Sequence, residues 1–419
     1  MARMDEGWGV RDERRPRGGA SRIGRTGLAQ DDALRNCPDD RWAWVEVDLD
    51  AVRANVRAFR ALLARGTKMM CAVKADAYGH GAVACARAMH DAGADQFAVA
   101  TVAEGVALRE AGITWPILVL GEPPATVLDT LIEHDVMPTV YTSEFALAYG
   151  ERAAALGTVG KYHLAIDTGM TRIGVLPSEA VELRRMIDFH RGLACAGTFT
   201  HFATADVIGD WDFKQQARRF SQTVGALEEA GLEHGLVHCD NTPATVLHPE
   251  LDFDMCRVGI GLYGLHPADT TVRRIDLVPA MSVRARVTRA IFPAVGEGVS
   301  YGLTYRVPTP NIQVATVPIG YADGLARSLS NRMDVIVAGQ RQRQVGRICM
   351  DQLMFSVDVS KRRPHSVETT APVAPGDVVT IMGRDGDEYI DADEMATLRD
   401  TINYEVTCNF GQRLPKVYV

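Results

Sequence analysis

The chain has 419 residues, enough for two or three domains, with a barrel of about 250 residues counting as one. Hydrophobic residues make up 47%, which supports a sizeable core, while the net charge of −8 and pI near 5.8 speak against a nucleic-acid or anionic-membrane partner, since each would want a basic face. No run reaches the roughly 18 apolar residues of a membrane span and no apolar signal core follows the N-terminal arginines, so a soluble, cytoplasmic enzyme acting on a small molecule is expected.

Residues 1–40 mix Arg11, Arg14, Arg15, Arg17, Arg22 and Arg25 with Asp, Gly and Pro and show no apolar periodicity; they read as a disordered extension. An Arg-rich nucleic-acid arm is the other reading, and the interleaved acidic residues oppose it. From Arg41 a regular pattern begins. Val45, Val47 and Leu49 alternate against Glu46 and Asp48, and Leu49, Val52, Val56, Phe59 and Leu63 then recur at helical spacing.

Eight short apolar runs follow: Met69 to Val73, Phe97 to Thr101, Ile117 to Leu120, Pro138 to Tyr141, Tyr162 to Ile166, Cys195 to Thr200, Leu236 to Cys239 and Val258 to Tyr263. Helix-compatible stretches separate them, among them Ala103 to Ala111, Ser143 to Leu156, Ser178 to His190 and Asp212 to Ala230. Alternation of this kind predicts a parallel sheet, and eight strands in roughly 200 residues predict a closed (β/α)8 TIM-type barrel over 41–274. An open doubly wound sheet is the alternative; no G-x-G-x-x-G follows the first strand. Near Asp276 strands succeed one another without helices, from Val283, Ala285 and Val287 through Ile312 to Ile319, Val335 to Val337, Met354 to Val359 and Val378 to Met382. Residues 275–419 therefore read as a mostly β C-terminal domain, which the N-terminal strand could join.

The eight cysteines, Cys37, Cys71, Cys85, Cys195, Cys239, Cys256, Cys349 and Cys408, lack C-x-x-C spacing and read as reduced thiols. His234 and His238 stand four apart like a helical metal pair, but the second lies in the strand-like run Leu236-Val237-His238-Cys239, and no metal site is expected.

The chemistry begins at Ala72-Val73-Lys74-Ala75-Asp76-Ala77-Tyr78-Gly79-His80-Gly81, where a lysine ends an apolar strand before a glycine-rich turn. Burial there lowers an amine's pKa and makes it a nucleophile toward an aldehyde, the chemistry of a Schiff-base lysine holding pyridoxal phosphate; a lysine snorkelling to solvent is the plainer reading. In a barrel the reactive groups gather at the C-terminal strand ends. Lys74, Asp167 to Arg172, Thr200-His201, Asp240-Asn241-Thr242 and the run from Arg257 to Ile260 all fall there. Thr242 and the amides of Gly259 and Ile260 are candidate phosphate donors, with Pro243 opening a helix.

From about Trp42 to Tyr418 the chain resembles the alanine racemases, on eight motifs in order. These are Lys74-Ala-Asp-Ala-Tyr-Gly-His-Gly, Asp167-Thr-Gly-Met-Thr-Arg-Ile-Gly, Thr200-His-Phe-Ala-Thr, Arg257-Val-Gly-Ile-Gly-Leu-Tyr-Gly, Gly298-Val-Ser-Tyr-Gly, Ile319-Gly-Tyr-Ala-Asp-Gly, Gly346-Arg-Ile-Cys-Met-Asp-Gln and Thr401-Ile-Asn-Tyr-Glu. The resemblance implies pyridoxal 5'-phosphate as cofactor, a homodimer, and D-alanine supply for peptidoglycan. It implies Lys74 and Tyr301 as two catalytic bases on opposite faces of the substrate. Tyr78, Asn241, Thr242, Gly259, Ile260 and Tyr404 would bind the cofactor, its phosphate above all. Arg257 would face the pyridine nitrogen with His201 beside it, and Arg172, Met350 and Tyr321 would line the substrate site. Tyr301 and Met350 would come from the partner subunit. Tyr305 reads as packing, and Asp351 as the cap of a turn.

The chain also departs from that pattern. Ala165 stands where many relatives carry a lysine modified to a carbamate beside the arginine, so a chloride ion or water would fill the gap or Arg172 would be held less tightly. Asp76 stands where asparagine is frequent, Thr242 where serine is, Leu303 where alanine is, and Pro243 alters the phosphate loop. Tyr404 implies a pocket near alanine's size, although one added hydroxyl is rejected only roughly a hundredfold by an apolar pocket, so serine stays open. A racemase or decarboxylase of another amino acid is the second reading, and a non-catalytic pyridoxal-phosphate carrier the third.

Overall fold

The computed structural model describes residues 41–361 and 369–419. The extension expected over residues 1–40, with Cys37, lies outside the described residues.

The first strand, β1 (Ala43–Val47), hands the chain to a helix over Leu49–Leu62. Asp48 caps that helix by accepting the Ala51 N–H at 2.8 Å. Val52, Val56 and Phe59, spaced four and three apart, are all fully buried, and each contributes about 1.5–3 kcal/mol by leaving water. Asn55 on the same face is buried too, and its amide bridges Leu262 O at 3.2 Å and Val278 O at 2.8 Å.

The barrel strands are β2 (Lys68–Ala72), β3 (Gln96–Val99), β4 (Ile117–Val119), β5 (Met137–Val140), β6 (Gly160–Ala165), β7 (Leu193–Phe199), β8 (Leu236–His238) and β9 (Met255–Val258). They pair in parallel in the order β8-β7-β6-β5-β4-β3-β2-β9. Asp254 N donates to Val237 O at 3.0 Å and Arg257 N to Asp240 O at 3.1 Å, so hydrogen bonds cross from β9 to β8 and bring the sheet nearly to closure. The eight strands expected from the sequence are present. The last of them is shifted: the run Val258 to Tyr263 is not a strand, because β9 ends at Val258 and Ile260–Tyr263 winds into a single 3-10 turn. The cause is steric. A Cβ on Gly261 would come within 2.4 Å of Phe59, so the backbone leaves the sheet here to pack directly on the first helix. Likewise Lys74 lies two residues beyond β2 rather than at its end.

The remaining strands are β10 (Met281–Arg286), β11 (Arg289–Ile291), β12 (Gly298–Val299), β13 (Tyr305–Arg306), β14 (Ile312–Val317), β15 (Asp334–Val337), β16 (Gln340–Arg343), β17 (Leu353–Asp358), β18 (Val378–Asp385), β19 (Glu388–Ile390) and β20 (Lys416–Tyr418). One sheet runs β16-β15-β18-β10-β1-β20 with β19 on β18; β11-β14-β17 and β12-β13 form two smaller ones. β1 pairs antiparallel with β10 and parallel with β20, so both ends of the described chain meet in this sheet. Alternate residues of β10, Met281, Val283 and Ala285, are buried. Two helices, Ala392–Arg399 and Asn403–Asn409, interrupt the strands, and the second carries Tyr404. Among the described residues no helix is long and apolar enough to cross a membrane.

Candidate active site

Lys74 opens a turn in which four successive non-glycine residues, Ala75, Asp76, Ala77 and Tyr78, hold φ between 52° and 56°. Left-handed backbone costs an L-residue roughly 1–2 kcal/mol, so the turn must be held from outside. Ala75 N donates to Glu104 Oε1 at 2.7 Å, Ala82 N to Asp76 Oδ1 at 2.8 Å, and Gly81 N to Asp76 O at 2.8 Å. Glu104 is itself fixed by the capping box with Thr101. The C-terminal domain completes the clamp. A Cβ on Gly79 would meet Thr407 O at 2.3 Å, and one on Gly81 would meet the Tyr418 hydroxyl at 2.0 Å, so the turn needs glycine at both.

Burial lowers the Lys74 pKa, and the charge of Arg172 lowers it further, Arg257 adding a smaller push; Cys408 and Glu104 oppose them. Arg257, at the end of β9, is buried, which pushes it down to about 10. Its NH1 reaches His238 Nδ1 at 3.0 Å and His238 O at 3.1 Å, and its NH2 reaches Thr200 O at 2.7 Å and His201 Nδ1 at 3.2 Å. His201 is held well below the usual imidazole range by burial first and by Arg257, Arg172 and Lys74 after it. Four sequence-selected residues, Lys74, Arg172, His201 and Arg257, thus act on one another at one end of the barrel.

Thr242 is buried at the start of a helix over Thr242–Leu247, and its Oγ1 accepts the Gly259 N–H at 2.9 Å. A Cβ on Gly259 would stand 2.7 Å from the Tyr78 hydroxyl, so this glycine makes room for that ring. Ile260 follows, fully buried. Tyr78 packs at 5.1 Å on Tyr263 and at 6.1 Å on Tyr404, with ring centroids as reference. Thr242, Gly259, Tyr78 and Tyr404, with Ile260 next in the chain, thus gather into a small cradle of neutral groups. Asn241 has a different place: its Oδ1 caps the helix through Ala244 N at 3.1 Å and its Nδ2 donates to Phe202 O at 3.2 Å, so it holds the loop. Ala165 is buried and lines a small cavity with Asp167, Met170, Arg172, Phe199, Thr200 and His201.

Tyr301, Tyr321 and Met350 form a second group, apart from the first. Tyr301 is 69% exposed and Met350 51%, and Tyr301 is not among the groups that act on Lys74 in its own chain. Tyr321 N donates to Cys349 O at 3.0 Å, Ala322 N to Met350 O at 3.0 Å, and Ser300 Oγ to Arg347 O at 2.6 Å, which ties the three segments together. Asp351 pairs with Arg413 at 2.7 Å rather than capping a turn. Tyr305 is half-buried against Val299, Val307 and Val314.

Several residues of the site escaped sequence reasoning. Glu104 carried a legible signal, the Thr-x-x-Glu capping box. His238 was visible only as a partner for His234, but His234 turns to Gly235 O at 2.9 Å and Glu228 at 3.3 Å instead. Tyr263 donates to Ala72 O at 2.8 Å just before the lysine turn, and His163 meets His238 at 2.8 Å; neither had a local signal.

Residues 47–267 match the family model described as alanine racemase, N-terminal domain, and residues 280–418 the model described as alanine racemase, C-terminal domain. A curated alanine racemase of Desulfovibrio desulfuricans is 42% identical over 380 residues, covering 91% of this chain and 99% of that protein. The solved alanine racemase of Clostridium difficile superposes with a TM-score of 0.84 at 37% identity, over 90% of this chain and 96% of that one. A solved histidine racemase of Leuconostoc mesenteroides reaches a TM-score of 0.82 at 29% identity, over 91% of this chain and 99% of that one.

Proposed function

Because this chain belongs to the alanine racemase family, we propose that it interconverts L-alanine and D-alanine with Lys74 and Tyr301 as its two bases, Tyr301 being presented by a second copy of the chain. The observation that carries this reading is the Lys74 amine, desolvated just beyond a barrel strand and acted on by the charges of Arg172 and Arg257. An ordinary lysine is almost wholly protonated at neutral pH, and burial moves Lys74 in the direction that makes its amine a better base and nucleophile.

The family depends on pyridoxal phosphate, and the cradle fits it: Gly259 leaves space that a Cβ would fill, and Thr242, Ile260, Tyr78 and Tyr404 supply donors and walls. When bound, that cofactor withdraws electrons from the substrate's α-carbon and makes its proton acidic. The protein's part is proton handling. Lys74 Nζ takes or returns the α-proton on one face and Tyr301 Oη on the other, so the configuration inverts. Arg257 stays protonated at neutral pH even when pushed down to about 10, and a guanidinium facing the pyridine nitrogen offers only hydrogen-bond donors, with no proton to give up. Arg172 and the Met350 amide hold the substrate carboxylate. Exposure of Tyr301 and Met350 in the single chain supports a homodimer with shared sites.

Production of D-alanine for peptidoglycan in the cytoplasm follows from this activity as the physiological role. The histidine racemase on the same scaffold makes another amino acid the competing reading, and the match of a whole C-terminal domain opposes a mere carrier. Incubation of the cofactor-loaded protein with L-alanine, L-serine and L-histidine separately, with products resolved by chiral chromatography, tests the proposal. Rapid D-alanine with little of the other D-isomers supports it. Absence of D-alanine from a loaded enzyme refutes it and turns attention to Ala165, Leu303 and Pro243.

A further inference from the structure

Arg257 does not end its contacts at the site; it joins three imidazoles, His201 on one nitrogen and His238, then His163, on the other. NH1 meets His238 Nδ1 at 3.0 Å and NH2 meets His201 Nδ1 at 3.2 Å. A guanidinium has donors and no acceptor, so each of those Nδ1 atoms is the bare nitrogen of its ring, and each neutral ring carries its proton on Nε2. His238 Nε2 lies 2.8 Å from His163 Nδ1. His238 therefore donates there, His163 accepts, and His163 in turn carries its proton on Nε2. The direction of every bond follows from the one group that can only give.

Both rings are locked in place. His238 is fully buried and His163 only 1% exposed, and burial together with the charge of Arg257 keeps both neutral, His163 down to about 3. Phe199 stacks on His238 at 5.1 Å and 19°, and the same ring lies 5.1 Å beneath the Arg257 guanidinium carbon. A Cβ on Gly197 would come within 2.5 Å of His163 Nδ1, and the β6–β7 pairing shifts register between Tyr162 and His163. Glycine and bulge together make the space for the His163 ring.

We propose that His163 is a positioning residue for Arg257: by accepting from His238 Nε2 it selects the one tautomer of His238 whose Nδ1 can receive the guanidinium. Without an acceptor at His163, the His238 Nε2–H has no partner in the core. Moving that proton to Nδ1 would set donor against donor at Arg257. Either way the guanidinium loses its fixed direction. This inference rests on the reading that Arg257 faces the pyridine nitrogen of the cofactor.

The test uses the cofactor-loaded enzyme, His163→Asn, which keeps an acceptor near the Nδ1 position, and His163→Leu, which does not. One readout is nitrogen NMR of isotope-labelled histidine, which reports the tautomer of each ring. The other is the side reaction per racemisation turnover, in which alanine is oxidised by two electrons to pyruvate while the bound cofactor is reduced to its amine form, the amino group passing from one to the other. Wild-type enzyme should have His238 and His163 neutral with the proton on Nε2. His163→Leu should raise the side reaction about tenfold, the scale of one lost buried hydrogen bond, and His163→Asn should restore it to near the wild-type ratio. A wild-type His238 protonated on Nδ1 overturns the proposal without any variant, as does a His163→Leu enzyme whose His238 tautomer and side reaction are both unchanged. Arg257→Gln separates the two ideas. If it leaves the side reaction unchanged, the placement of Arg257 is wrong, and the His238 tautomer in His163→Leu alone decides: a shift upholds the role of His163 and no shift refutes it.

Discussion

Lys416 Nζ lies 2.8 Å from Asp76 Oδ2, joining the last strand of the chain to the left-handed turn that presents Lys74. The same carboxylate accepts the Ala82 amide with its other oxygen, so one side chain links the C-terminal sheet, the turn and the following helix.

Asp76→Asn keeps an acceptor for Ala82 and gives up only the ion pair. Since Asp76 is half exposed, this variant should lose no more than about 1 kcal/mol. Asp76→Ala removes the cap as well and leaves the strained turn less restrained, with an expected loss of about 1–2 kcal/mol and a larger fall in turnover. Urea denaturation and turnover measured on both variants check the order; equal effects would mean that the ion pair, not the cap, holds the turn.

Asp240 makes stability depend on pH. Burial, and after it the hydrogen-bonded neighbour Asp252, raise its carboxyl from an ordinary 3.8 to about 8. The folded chain therefore holds a proton that the unfolded chain has lost, and stability falls as pH rises from 3.8 to about 8, with the loss complete above that. Asp240→Asn is neutral at every pH and keeps a donor for Asp252. It should be more stable than wild type by about 1–3 kcal/mol in alkaline solution and nearly equal below about pH 3.8. Denaturant midpoints at the two pH values decide it, and a constant offset would rule out the shared proton.

Gly259→Ala should weaken the hold on pyridoxal phosphate by about tenfold or more. The new Cβ would sit 2.7 Å from the Tyr78 hydroxyl, in the space that ring occupies. Equilibrium dialysis of the cofactor measures it. Unchanged affinity would remove Tyr78 and Gly259 from the cradle.

Lys74→Ala and Tyr301→Phe should each be inactive alone and complement when mixed. In a shared-site dimer, random exchange makes half the dimers mixed and gives each mixed dimer one intact site, so about a quarter of wild-type activity returns. A mixture that stays inactive after exchange is verified by mass spectrometry would exclude Tyr301 acting across subunits.

The barrel was legible because each of its strands is a short apolar run between amphipathic stretches, a pattern a strand needs locally whether or not its neighbours have formed. Lys74, Thr242 and Arg257 were legible for a related reason, since the strand ends of a barrel are where polar residues must have a purpose. Misplacement of the last strand at Val258 to Tyr263 shows the limit: Ile260, Leu262 and Tyr263 are apolar because they pack in the core from a 3-10 turn, and only the contact of Gly261 with Phe59 reveals it.

The linear order of residues determined which elements form, which end of the barrel carries reactive groups, and that a lysine there is desolvated, because periodicity and strand termini are properties of neighbouring residues. Tertiary structure alone decided that β1 belongs with β10 and β20, that Asn241 holds its loop while Thr242 faces the cradle, that Asp240 meets Asp252, and that Arg257 is aimed through His238 by His163. His163 and His238 are 75 positions apart, and the direction of their hydrogen bond is imposed by a guanidinium 19 residues beyond the second. No local pattern encodes such a relation: it exists only once the barrel's closure brings β6, β8 and β9 together around buried side chains.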